Sequence, residues 1–302
     1  MALQVIVGAG GTGQATARIL ADRGDQVRLV SRKGTGPAHP GIELVALDGL
    51  DTDGLAALTE GAATLFNAAM PAYHTWPEAI PPLFRSFLTV AERTGAGYVM
   101  LGNLYGYGPQ DGVITEDAPL AADGPKGKVR AEMWREAEAA HDAGRVKAAE
   151  VRASQFLGAG AFSLFSLIVQ PNVLSGRLIP LQGDPDLPNS FSAIGDTARS
   201  LIAVADSADG WGRAWHTPVI SATTREAAAR IAAIAGAPVP RFTELTERDL
   251  ALLTLTAPFW GELHETAHMS DRPYIVDGSA IGKLGVEASG LDEVIAEGLA
   301  TP

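Results

Sequence analysis

Residues 5–20 read VIVGAGGTGQATARIL: an apolar triplet, four glycines within six positions, then a run that can place Ala15, Ile19 and Leu20 against a sheet. Gly8, Gly10 and Gly13 match G-x-G-x-x-G in the strand-turn-helix setting that the pattern requires. Each glycine has its own physical reason. One makes the tight turn, the second lets a pyrophosphate approach the backbone, and the third lets the helix pack closely on the strand. The helix start, with Gly11 and Thr12, then offers unpaired N–H groups to an anion. The stretch predicts the opening of a parallel α/β sheet that binds a dinucleotide.

About 20 residues beyond such a loop, a fold of this kind commonly carries an acidic residue for a ribose 2′-hydroxyl. Here the second strand ends in VRLVSRKG, with Ser31 in that place and Arg32 and Lys33 behind it. A 2′-phosphate would meet a hydroxyl and a cation there, so NADP is favoured over NAD. Asp48, after the third strand, could accept from an adenine amino group, and Asn67 and Ala68, after the fourth, could line the pyrophosphate and ribose. Either site could equally begin a loop through a local backbone bond.

Short β-like and helix-like runs alternate over residues 5–7, 13–22, 26–30, 42–47, 52–58, 64–67, 80–94 and 98–101. That alternation predicts an α/β fold, a Rossmann-type doubly wound parallel sheet. A Gly- and Pro-containing loop over residues 102–125 lacks periodicity, and loops of that length are usually functional. A helix from about 126 to 141 and a strand in GRVKAAEVRA follow, then short elements with helices at 196–205, 225–235 and 291–299. The expected division is a dinucleotide-binding core over 1–157 and a mixed region over 158–302. That region contains a small C-terminal substrate lobe, with residues 190–220 or so returning to the core.

Thirty-five acidic against 23 basic residues, a formal charge of −12, repel nucleic acid and anionic lipid surfaces. With no cysteine, thiolate nucleophiles, disulfides and cysteine-bound metals are excluded. No apolar run approaches the length of a membrane span, and no leader is visible, so a cytoplasmic location is expected. His264 and His268 flank Glu265 without the HExxH order, and no metal site is expected. The expected partner is a small-molecule substrate, with no nucleic acid and no membrane.

Further along the chain, NLYGYGP, TEDAP, RASQFLGAGA, FSAIGDTARSLIAVA and YIVDGSAIGKLGVEASGLDEVIAEGL follow the glycine loop in order. With these segments the chain resembles the atypical and extended short-chain dehydrogenase/reductases, the NAD-dependent epimerase/dehydratase-like group, over nearly its whole length. The resemblance implies a nicotinamide cofactor, oxidation or reduction of a hydroxyl or carbonyl group, and catalysis by a Ser or Thr with a Tyr-x-x-x-Lys helix start. A homodimer through that helix is left open.

In this sequence the corresponding helix start is PKGKVRAEMW. Lys126 falls in the place of the Tyr and Arg130 in that of the Lys, while the Ser/Thr position falls near Leu101 or Gly102. Two readings follow. In one, Tyr105 or Tyr107 supplies the hydroxyl, Asn103 orients the substrate, and Lys126 or Arg130 provides positive charge, giving an NADP(H)-dependent oxidoreductase or epimerase-like enzyme on a small metabolite. In the other, the chain is an NADP(H)-binding sensor or scaffold, or a non-redox lyase or isomerase. Lys126 and Arg130 share one helix face and would repel unless an anion joined them, Glu132 and Glu136 being local candidates. YHTWPEAIPPL reads as an aromatic wall or a proline-stiffened loop. Trp260, Glu262 and His264 could line a pocket or pack the lobe on the core.

Overall fold

The computed structural model describes residues 1–300. Five strands and four helices alternate through its first half: β1 (Leu3–Val7), α1 (Gly11–Asp22), β2 (Gln26–Ser31), β3 (Ile42–Ala46), α2 (Thr52–Thr59), β4 (Ala62–Asn67), α3 (Trp76–Thr94), β5 (Gly97–Asn103) and α4 (Pro125–Asp142). The strands Ala148–Ala153 and Ala214–His216 complete a seven-stranded, wholly parallel sheet. From the Ala214–His216 edge the order is Ala214–His216, Ala148–Ala153, β5, β4, β1, β2, β3.

Alternation along each strand divides the core between two layers. Val5, Val7, Tyr98 and Met100 face a cluster with Phe84, Phe87, Val129 and Met133 of α3 and α4. Ile6, Val99 and Val151 face the opposite layer, built from Ala17 and Leu20 of α1 and Leu201 and Val204 of the helix Ile194–Asp206. Strands buried on both faces and crossed by helices are the signature of a doubly wound sheet. Strand order reverses beside β1, which places a crevice at the carboxyl ends of β1 and β4.

A smaller lobe joins Gln155–Leu157, Pro188–Ala193 and Ile220–Thr223 into a three-stranded sheet, with Leu178–Leu181 pairing Arg241–Glu244 beside it. Phe165, Val169, Phe191, Ile220 and Ile231 form its core. Between lobe and sheet, the 3-10 segment Pro258–Met269 lies across the start of α4.

Two local expectations change. The aromatic stretch after β4 is not a plain loop, since a 3-10 turn at Tyr73–Thr75 leads directly into α3 at Trp76, and Tyr73 and Trp76 pack edge to face. Pro77 is tolerated in the first helical turn, where no N–H partner is needed, and Trp76 is buried there. The long loop over residues 102–125 contains a 3-10 turn at Tyr105–Tyr107 and a short strand at Val113–Ile114, paired with Ile275–Val276.

No helix among the described residues is long and apolar enough to cross a membrane. Nor is any group of three His, Cys, Asp or Glu side chains among them placed to hold a metal ion.

Candidate functional site

The glycine loop ends β1 at the crevice. Gly8 has φ +111°, and a Cβ there would lie 2.4 Å from the Ala68 carbonyl group. A Cβ at Gly13 would fall 1.9 Å from the Gly8 carbonyl oxygen, and one at Gly11 would fall 2.2 Å from that of Gly160. These three glycines are therefore required by packing, against β4, against the loop itself and against a loop of the lobe. Gly10 differs: a Cβ there meets nothing within 4 Å.

Among the described residues no side chain caps the N-terminus of α1, and its first turn holds no acidic residue. The first-turn N–H groups, from Gly11, Thr12 and Gly13, have no intrahelical acceptor and suit an anion. Gln14 Nε2 donates to the Ala9 carbonyl at 2.8 Å and braces the loop. An open glycine beside an uncapped helix start fits the pyrophosphate of a dinucleotide.

At the end of β2, Arg32 and Lys33 are exposed, and neither head group has a partner among the described residues. Ser31 Oγ accepts from Thr35 N at 3.3 Å. Asp48 Oδ1 accepts from Leu50 N at 3.0 Å. Asn67 is buried, donating from Nδ2 to the Tyr98 hydroxyl at 3.0 Å and accepting at Oδ1 from Ala69 N at 3.2 Å. Of the two settings open to Asp48 and Asn67, the local backbone bond is present in both, and the Asn67 amide has little capacity left.

At the start of α4 the charges are arranged differently from the local picture. Lys126 is 1 % exposed, its ammonium bonded to Glu262 and 3.3 Å from Glu265 Oε2. Glu265 Oε1 also accepts from the backbone N–H groups of Lys126 and Gly127 at 2.7 and 2.9 Å, so it caps α4 as well. Burial opposes the charge of Lys126, but the two carboxylates outweigh it and its pKa is raised. The anions come from the C-terminal segment and not from Glu132 or Glu136, which hold Arg85 on the surface. Lys126 and Arg130 do not share an anion either.

Two phenols adjoin Lys126. Its Nζ lies 4.9 Å from the Tyr73 ring centroid, and Tyr73 donates a long hydrogen bond, 3.4 Å, to the Tyr105 hydroxyl. Trp76 and Phe259 complete an aromatic box around them. Burial, and then Tyr73 itself, raises the Tyr105 pKa well above 10, and burial raises that of Tyr73. Both are phenols at neutral pH. Asn103 Oδ1 accepts from Tyr105 N at 3.2 Å and fixes the turn that presents Tyr105.

Arg130 and Tyr107 belong to a second, buried cluster. Arg130 Nη2 donates to the Leu101 carbonyl at 2.8 Å and lies 3.5 Å from Glu150 Oε1. Arg152 bonds Glu150 at 2.7 Å and the Tyr107 hydroxyl at 2.6 Å. That hydroxyl meets His216 Nε2 at 2.7 Å, while His216 Nδ1 faces the Asp277 carbonyl at 2.9 Å. The carbonyl fixes the proton on Nδ1, so Tyr107 donates to Nε2. A Cβ at Gly102 would lie 2.4 Å from Glu150 Oε1, so that carboxylate occupies the space a side chain at Gly102 would need.

Sequence reasoning missed Glu150, Arg152, His216 and the role of Glu265. One signal was present: Glu150 and Arg152 alternate within a strand whose neighbours are all apolar, and buried charges in such a strand must pair. Of the remaining candidates, His264 is exposed, and Trp260 packs with Phe259 beside Leu245 and Leu263.

No protein-family model matches the sequence, and no curated protein matches it. Solved structures do. A dTDP-glucose 4,6-dehydratase from Streptomyces venezuelae, solved with NAD bound, aligns with a TM-score of 0.79 at 22% identity, over 99% of this chain and 96% of that one. The chain has the Rossmann-type fold of this enzyme. UDP-glucose 4-epimerase from Thermotoga maritima aligns with a TM-score of 0.79 at 15% identity, covering 99% and 97% of the two chains. UDP-glucuronic acid 4-epimerase from Bacillus cereus, in complex with NAD, gives 0.77 at 15% identity, covering 98% and 96%. In a doubly wound sheet of this kind the crevice where strand order reverses is the general ligand position. Gly10, Asn67 and Ala68 stand at its rim.

Proposed function

We propose that the protein binds a nicotinamide dinucleotide in the crevice, NADP in preference to NAD, and works as an epimerase-like oxidoreductase on a hydroxyl or carbonyl group of a small molecule. The observation that carries this reading is the uncapped start of α1 beside the open Gly10, with the unpaired cations Arg32 and Lys33 at the end of β2. Gly10, Gly11, Thr12 and Gly13 would hold the pyrophosphate, and Ser31 with Arg32 the 2′-phosphate. When bound, the cofactor supplies or takes the hydride.

The chain's own residues would manage the proton. Tyr105, kept protonated by burial, donates from its hydroxyl to a carbonyl oxygen as negative charge builds there. Tyr73 then donates to the Tyr105 oxygen, and the Lys126 ammonium over the Tyr73 ring, which favours the ionised form of Tyr73, makes it the better donor. A phenol that rests protonated at neutral pH holds the proton a carbonyl oxygen needs, which suits the reduction of a carbonyl. Asn103 positions Tyr105; Tyr107 and Arg130 act as positioning residues through the buried network. A cytoplasmic setting suits this chemistry.

The test is titration with NADPH and NADH by fluorescence, followed by a carbonyl panel scored by loss of reduced cofactor. Tight NADPH binding with turnover that falls in Tyr105→Phe supports the reading. A second reading, a dinucleotide-binding sensor or a non-redox lyase or isomerase, draws on Glu262 and Glu265, which neutralise Lys126. Tight binding without oxidation of NADPH favours it.

A further inference from the structure

The lobe holds a cavity that the dinucleotide crevice does not use. Its walls are Phe165, Ile168, Leu181, Leu245, Leu263 and Met269, and its polar groups include the amides of Gln155 and Gln182. Neither amide has a hydrogen-bond partner among the described residues. The lining contains no Lys, Arg or His, and its one ionisable residue is Asp184. Arg225, close by in sequence to the lining residue Thr224, is already held by Asp186 at 2.6 and 2.9 Å.

That charge pattern selects among ligands. A diphosphate calls for Arg or Lys in bidentate or point-charge contact. Here it would meet apolar side chains and a carboxylate, within a chain whose net charge is −12. An apolar body with one or two uncharged oxygens would bury the wall residues and satisfy the two free amides.

We infer that this cavity takes an uncharged, largely apolar molecule bearing a carbonyl or hydroxyl group, and not a nucleoside diphosphate. That this ligand is the substrate rests on the oxidoreductase reading; that it binds does not. The cavity is narrow, about 30 Å³, room for one or two waters, so the ligand must move a wall. Two walls are suited to yield. Phe165, Ile168 and Val169 sit in one π-helical turn, Phe165–Val169, a local form frequent at functional sites. Opposite, Leu263 and Met269 belong to the Pro258–Met269 segment, whose Glu262 and Glu265 hold Lys126. A ligand pressing on Leu263 therefore also presses on the segment that caps α4.

The experiment is a tryptophan-fluorescence titration of the full chain with 2-nonanone and with UDP-glucose, each with and without NADPH. Trp260 lies in the Pro258–Met269 segment and reports on it. The expected result is saturable binding of the ketone, with no response to UDP-glucose at equal concentration. Ile168→Trp, which fills the cavity, should weaken ketone binding at least tenfold. Leu181→Arg, at a half-buried position, should weaken it too and gain a response to UDP-glucose, with circular dichroism melts checking that both variants fold. Saturable UDP-glucose binding by the unaltered chain, absence of ketone binding up to its solubility, or ketone binding unchanged in both folded variants would each overturn the inference. Ketone binding without NADPH oxidation leaves the inference standing and counts against the oxidoreductase reading.

Discussion

The ammonium of Lys126 lies 3.3 Å from the carboxylate of Glu265, 139 residues further along the chain. The same carboxylate closes the first turn of α4, so one side chain neutralises a buried cation and caps a helix. Removing one partner of such a pair leaves the other charged and desolvated. Lys126→Met is therefore expected to lower stability by about 3 kcal/mol, measured by urea unfolding. Lys126→Met combined with Glu265→Gln should recover part of that loss, and a double variant no more stable than the single one would show that the pairing is not the source.

Gly10 and Gly11 separate binding from folding. Gly10→Ala places a methyl group in open space, so the Tm should hold while NADPH affinity falls about tenfold or more as the close backbone approach is blocked. Gly11→Ala drives its Cβ into the Gly160 carbonyl and should lower the Tm instead. Equal effects of the two on both readouts would argue against the assignment of Gly10 to the cofactor.

The two tyrosines of the 3-10 turn should respond differently. Tyr105→Phe is expected to reduce turnover by about 10²-fold or more with NADPH affinity nearly unchanged. Tyr107→Phe removes a hydroxyl that joins Arg152 to His216, and should cost roughly 1–3 kcal/mol of stability in urea melts. The pattern would have to be abandoned if Tyr107→Phe left stability intact and abolished turnover.

Arg32→Asp places a carboxylate where a 2′-phosphate would lie. NADPH affinity should fall about tenfold or more and NADH affinity should change little, as read by fluorescence titration. An unchanged ratio would remove Arg32 from the cofactor site.

His216 links stability to pH. Burial lowers its pKa from the ordinary 6.5, outweighing Glu116 and the Asp277 carbonyl, so the folded chain keeps it neutral. The unfolded chain takes up a proton as pH falls through about 6.5, and only then does the native state lose ground. Stability should be full above that pH and decline below it, with His268, also lowered chiefly by burial, contributing in the same sense. Urea melts at about pH 7.5 and about pH 5 should show a smaller difference in His216→Gln than in the unaltered chain.

Local chemistry makes much of this protein legible in its amino-acid sequence. The loop from Gly8 to Gly13, the alternation that becomes β1 to α4, and the helix that carries Lys126 and Arg130 all depend on residues close in sequence, where backbone sterics and apolar period act directly. Arg32 and Lys33 are legible for the same reason. The partners of charge are not. Glu265 reaches Lys126, Glu150 reaches Arg130, and His216 reaches Tyr107 only after the sheet has brought its strands together and the C-terminal segment has crossed α4. A side chain's type shows that a buried charge needs an opposite one; which residue supplies it is decided by desolvation and proximity in the folded chain, and tertiary packing alone sets those.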